Sequence, residues 1–167
     1  MNSSRPEAAA ILGAAEHIRS TQPFIFRRRV LWGECDPAGI VYTPRFTDYV
    51  TIAAFHFLGY LLGGSAIEGM RRHQFGTPCK ALNVVFHSPL RPDQIFDMTV
   101  STSRIGTTTF ELAVAGTTEN GVAAFDANIT LITVRHTEIV AIPVPKVLRE
   151  GLARHIREPA SASEQRP

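Results

Sequence analysis

Trp32-Gly33-Glu34-Cys35-Asp36-Pro37-Ala38-Gly39-Ile40-Val41-Tyr42-Thr43-Pro44, together with the apolar run behind it, is the stretch that decides the fold. Its first part is a loop. Asp36-Pro37 favours a turn, and Gly39 accepts backbone angles or close ligand approach that other residues resist. Thr43 is then a good N-cap, and Pro44 suits the first helical position. From Phe46, apolar side chains recur at Val50, Ala53, Phe57 and Leu61, and Tyr49, Ala54, Phe55 and Leu58 widen that stripe until little of the helix is polar. A helix that is apolar nearly all round belongs inside something. Gly63-Gly64 stops it, and Ser65-Ala66-Ile67-Glu68 matches the capping box of a second, short helix.

Beyond the helices the texture turns to strands. They are expected near Cys79 to His87, Ile95 to Arg104, Thr107 to Thr117, Val122 to Arg135 and Ile139 to Ile142. Asn120-Gly121 signals a type I′ hairpin, Ile105-Gly106 another tight turn, and Pro145 a last short helix through Leu148. Before the loop, Phe24 to Trp32 reads as a strand with Phe24, Phe26, Arg28 and Val30 on one face. Neither of its faces is cleanly apolar, which puts it at a sheet edge or beneath an N-terminal extension. Alternation splits Arg27-Arg28-Arg29 between faces, favouring a solvated strand over an anion patch. One buried helix followed by an antiparallel meander makes an α+β domain. Residues 1–22 read as a flexible extension, 23–155 as the folded domain, and the polar, proline-bracketed 156–167 as a disordered tail.

The whole composition fits one globular domain: 167 residues, 44% hydrophobic and 19% charged. A net charge of +2 is too small to argue for nucleic acid, and it admits an anionic small ligand without selecting one. Cys35 and Cys79 make neither a disulfide framework nor a four-ligand zinc site, so free thiols and no metal are expected. No apolar run approaches the ~20 residues that span a bilayer. The run Ala8 to Ala15 has no convincing basic region before it, so no signal peptide is expected and the cytoplasm is the default location.

The chemistry centres on Asp36, an acid in a loop that feeds a helix N-terminus. The first turn of such a helix has unpaired amides at the positive end of a dipole, and they can hold a carbonyl oxygen as it gains negative charge. A carboxylate facing a polarised carbonyl is the minimal apparatus for hydrolysing an activated ester. A plainer reading competes, in which Asp36 caps the loop and Gly39 shapes it. Glu34, two residues before Asp36, is not read as the second carboxylate of a paired site. His56 reads as a core or interface residue and His87 lies at a strand end. Ser88 lacks the G-x-S-x-G setting of a nucleophile.

Asp36-Pro37-Ala38-Gly39-Ile40-Val41-Tyr42, preceded by Trp32-Gly33-Glu34-Cys35 and followed by Thr43-Pro44 and a buried helix, resembles the signature of the 4-hydroxybenzoyl-CoA thioesterase family. Phe75-Gly76-Thr77-Pro78 is similar to that family's lead into its second strand. Ser88-Pro89-Leu90-Arg91-Pro92-Asp93 is similar to its hairpin, and Ile142-Pro143-Val144-Pro145 to its terminus. The resemblance implies a hotdog fold, a long helix wrapped by a curved antiparallel sheet. It implies a homodimer or homotetramer with the site at the subunit junction, and an acyl-CoA hydrolysed with no cofactor. The family's catalytic aspartate falls on Asp36 and its oxyanion donor on the Thr43 amide, while Gly39, Tyr42, Thr51 and Ser88 fall on the substrate side. Two positions depart from the family. Thr51 stands where an acid reads the 4-hydroxyl, and Gly106-Thr107-Thr108 replaces the basic cluster for the coenzyme phosphates, leaving Arg104 or Arg91 for that task. The resulting expectation is hydrolysis of an aromatic acyl-CoA, without nucleic-acid or membrane partners. The alternatives are an aliphatic acyl-CoA or acyl-carrier-protein thioesterase, and an acyl-CoA-binding protein without turnover.

Overall fold

The computed structural model describes residues 15–156. Of the expected tail at 156–167 all but Ile156, and of the expected extension at 1–22 the first fourteen residues, lie outside the described residues. Six strands form one antiparallel sheet: β1 (Glu16–Thr21), β2 (Phe24–Arg29), β4 (Cys79–Phe86), β5 (Ile95–Ile105), β6 (Thr109–Thr118) and β7 (Ala123–Ile132). Their order across the sheet is β1-β2-β5-β6-β7-β4, and β3 (Phe75–Gly76) pairs separately with β8 (Val134–Arg135). Period-two alternation sends Phe24 and Phe26, Phe96 and Met98, Phe110 and Leu112, and Phe125 and Ile129 to one buried face.

Helix α1 (Arg45–Leu61) lies across that face, touching β2, β4, β5, β6 and β7. It buries Phe46, Tyr49, Val50, Ala53, Ala54, Phe57 and Leu58. This is the hotdog arrangement. Phe57 is fully buried and meets the Phe24 ring edge-on at 5.2 Å. Truncating such a ring to alanine costs about 3–5 kcal/mol. Helix α2 (Ala66–Arg72) begins as its sequence suggests, with the Ser65 hydroxyl accepting from the Glu68 amide at 3.4 Å. Helix α3 (Lys146–Ala153) runs longer than expected and seals the core with Leu148 and Leu152. Past it, the Thr102 amide donates to the His155 carbonyl at 2.9 Å, and Ile156 bridges Thr102 in parallel.

Several expectations are corrected. The sheet starts before residue 22, because β1 pairs with β2 from Glu16↔Arg28 to Thr21↔Phe24. β2 therefore lies inside the sheet and not at its edge. Arg28 is buried, not solvated, for reasons given below. α1 starts one residue late, behind Pro44, which offers no side-chain cap. The Asn120-Gly121 hairpin exists, but only Gly121 has positive φ (77°), so the turn is not type I′. Ile139 to Ile142 is not a strand. Ile139 sits at φ 53°, which breaks extended pairing, and a lone bridge joins Val134 to Ala141.

Candidate active site

The loop before α1 hangs from a buried ion network. Glu34 Oε2 accepts from the Leu31 amide and from the Tyr49 hydroxyl, each at 2.8 Å. Its other oxygen pairs with Arg28, whose guanidinium also meets Glu16 and lies 4.7 Å from the centre of the Tyr49 ring. Burial pushes the Glu34 carboxyl up. The Leu31 amide, Tyr49 and Arg28 together outweigh it and hold the group below its ordinary value. Burial, and then Glu34 itself, pushes the Tyr49 phenol well above its usual range. β1, β2, the loop and α1 thus share one set of charges.

Two residues on, Asp36 closes the loop. Its amide donates to the Ile40 carbonyl and its carbonyl accepts from Gly39, both at 2.9 Å. Its Oδ1 accepts from the Ala38 amide at 2.8 Å, leaving Oδ2 without a protein donor among the described residues. Gly39 takes φ 75°, which suits glycine. The strand-like bridge Cys35↔Val41 and the Tyr42 amide on the Glu34 carbonyl (2.9 Å) complete the turn. Burial, then Glu34 and Asp36, raises the Cys35 thiol, which makes it a poor nucleophile.

Beside this loop lies a cavity of about 250 Å³. Ile40, Val41 and Thr43 form one wall, Phe46 of α1 another, and Phe86 to Leu90 the third. The Val41 amide donates to the Leu90 carbonyl at 2.9 Å, which ties the two chain segments together. The next amides along the helix start, those of Arg45 and Phe46, find carbonyl partners at Tyr42 (2.8 Å) and Thr43 (3.2 Å). The Thr43 amide has none among the described residues.

The cavity gathers Thr43 and Ser88 from the expected site residues, with Asp36 one backbone hydrogen bond away through Ile40. Ser88 spends its hydroxyl on the Ala123 carbonyl at 2.8 Å. Tyr42 is 55% exposed and lies outside the cavity wall. Thr51, Arg91 and Arg104 are exposed and do not line the cavity either, and the Thr51 hydroxyl bonds back to the Thr47 carbonyl at 2.7 Å. His87 does line it, with Nε2 2.8 Å from Asp126 Oδ2. The sequence shows these partners 39 residues apart with no local sign that they meet. Among the described residues no group of three or more His, Cys, Asp or Glu side chains is placed to hold a metal. No single helix among them is long and apolar enough to cross a membrane.

A family model described as the thioesterase-like superfamily matches residues 30–152. No curated protein matches the chain. The crystal structure of a thioesterase superfamily protein from Jannaschia sp. CCS1 is similar at 27% identity and TM-score 0.76, over 85% of this chain and 99% of that one. A gentisyl-coenzyme A thioesterase superposes with TM-score 0.68 at 21% identity, over 77% and 98% of the two chains. A 1,4-dihydroxy-2-naphthoyl-CoA thioesterase from Synechocystis does so with TM-score 0.70 at 17% identity, over 78% and 95%. The last two likenesses speak for the fold alone.

Proposed function

The chain belongs to the thioesterase-like superfamily, and from that premise we propose that it hydrolyses acyl-coenzyme A thioesters, with Asp36 as the reacting carboxylate and the Thr43 amide as the oxyanion donor. The observation that carries this reading is a half-occupied carboxylate in the loop beside a small cavity that Thr43, whose helix-start amide is unpartnered among the described residues, lines. The amide meets a thioester oxygen as it turns negative, in a site that needs no reorganisation. Asp36 Oδ2 acts as nucleophile, through a mixed anhydride, or as the base that draws a proton from water.

An aromatic acyl group suits the walls. Phe46 and Phe86 meet edge-on at 4.8 Å at the cavity, with Ile40, Val41 and Leu90 around them. About 250 Å³ is enough for one ring while the nucleotide stays outside. One observation favours an aliphatic chain instead: a larger groove of about 560 Å³ lined by Phe55, Ile67, Met70, Phe75, Val134 and Ile139.

Two measurements test the proposal. Asp36→Asn keeps the Asx-type turn and removes the reactive oxygen. Turnover is expected to fall at least about a hundredfold with the melting temperature unchanged. Near-normal turnover with a lower melting temperature would reduce Asp36 to a loop cap. A panel of benzoyl, hydroxybenzoyl, phenylacetyl and short aliphatic CoA thioesters then reads the acyl class, and faster turnover of the aliphatic members rejects the aromatic one.

A further inference from the structure

We infer that His87, oriented by Asp126, is the base that activates the hydrolytic water of this site, which assigns Asp36 the part of nucleophile. The inference rests on the thioester-hydrolase reading above.

Backbone bonds fix where His87 stands. Its amide and that of Ser88 share the Ala124 carbonyl at 2.8 and 3.1 Å, and Ser88 adds its hydroxyl to the Ala123 carbonyl. The segment is therefore pinned to β7 without help from the imidazole. The ring nonetheless has a dedicated partner, Asp126 Oδ2, 2.8 Å from Nε2. A carboxylate oxygen facing Nε2 selects the tautomer of the neutral ring in which Nε2 donates, and Nδ1 then keeps its lone pair. Among the described residues no donor occupies Nδ1. The side chains of both members are substantially exposed, 38% for His87 and 61% for Asp126, so the pair adds little to folding. A nucleophile, an oriented base and an oxyanion donor are the parts that covalent acyl transfer uses. Here His87 and Thr43 line one cavity, and Asp36 stands next to it in the chain fold, its main-chain amide donating to the carbonyl of Ile40, which lines it too.

The steps balance as follows. Asp36 Oδ2 adds to the thioester carbonyl carbon, and the carbonyl electron pair moves to the oxygen held by the Thr43 amide. Collapse breaks the C–S bond, releasing the CoA thiolate and leaving an acyl–Asp36 anhydride. Water then adds to the acyl carbon as His87 Nδ1 takes its proton. A second collapse breaks the C–O bond to Asp36, freeing the acid and restoring the carboxylate. The imidazolium proton passes to the thiolate.

The test follows thioester absorbance in rapid mixing and at steady state, in the whole protein and its His87→Ala and Asp126→Asn variants. His87→Ala is expected to consume close to one thioester per site at the wild-type rate and then to slow at least about a hundredfold. kcat and KM should fall together while kcat/KM holds, because the first step is untouched. Added imidazole should restore part of the slow phase. Asp126→Asn should slow the same phase less, with melting temperatures unchanged in both. Wild-type turnover in His87→Ala overturns the inference. So does a loss of kcat/KM without a burst, which would put His87 before the anhydride. A wild-type protein inactive on the whole thioester panel overturns the hydrolase reading, and this inference with it.

Discussion

Glu34 and Asp36 are two residues apart, yet their surroundings oppose each other. Glu34 is 9% exposed and fully engaged by Leu31, Tyr49 and Arg28, whereas Asp36 is half-buried and keeps one oxygen open. Strand alternation does not anticipate that divergence, since it puts residues two apart on one face; the helical turn at Trp32–Glu34 separates them. Nor does alternation anticipate why Arg28 is buried, since Arg28 meets Glu34 and Glu16 only after the loop folds back and β1 docks. Glu34→Gln leaves the Arg28 charge short of a buried partner, and such losses run from about 3 kcal/mol upward. The carboxyl also titrates below its ordinary value of 4.5 in the folded chain. The unfolded state then binds the proton more readily, so the stabilisation is full above pH 4.5 and is lost as pH falls through the folded value. Urea unfolding of both proteins should therefore give a gap of about 3 kcal/mol at pH 7 that closes below pH 4.5. A constant gap across that window would mean that Glu34 acts by shape and not by charge.

Among the elements, α1 was the most legible, because seventeen residues of nearly unbroken apolar spacing admit one reading. β1 was the least, because Glu16–Thr21 has one large apolar side chain, Ile18, and that is 42% exposed. Its ladder bonds to β2 and the pairs Glu16–Arg28 and Arg19–Asp97 hold it in place. A subtler dependence lies between β6 and β7, where Gly116 faces Phe125. A Cβ at Gly116 would fall 2.2 Å from the Phe125 ring, which Phe46 and Phe96 hold edge-on at 5.2 and 6.3 Å. With nowhere for the ring to go, Gly116→Ala should destabilise by about 1–3 kcal/mol. Phe125→Leu should soften that penalty, and a double-mutant cycle in denaturant measures the coupling. Additive effects would show that the strand backbone, not the ring, absorbs the clash.

At the scale of the whole molecule, β4 ends the sheet with its outer hydrogen-bonding row unpaired among the described residues, and Val85 and Phe86 on it are 50% and 49% exposed. Apolar edges of this kind invite a second strand. Light scattering at micromolar concentration should give twice or four times the 18.3 kDa of one chain. A stable monomer would count against the edge being an interface and against a site shared between subunits. The same edge ends beside the candidate cavity, whose wall runs from Phe86 to Leu90. That wall is anchored to β7 and to the loop through main-chain groups, at Ala124, Ala123 and Val41. Glu34, meanwhile, grips its partners in the interior. Side chains at Ile40 and Phe86 can therefore be exchanged without touching what keeps the loop in shape. In evolutionary terms the chain separates scaffold from selectivity, so a lineage or a directed library can drift toward new acyl groups by point changes on a surface that costs the fold little.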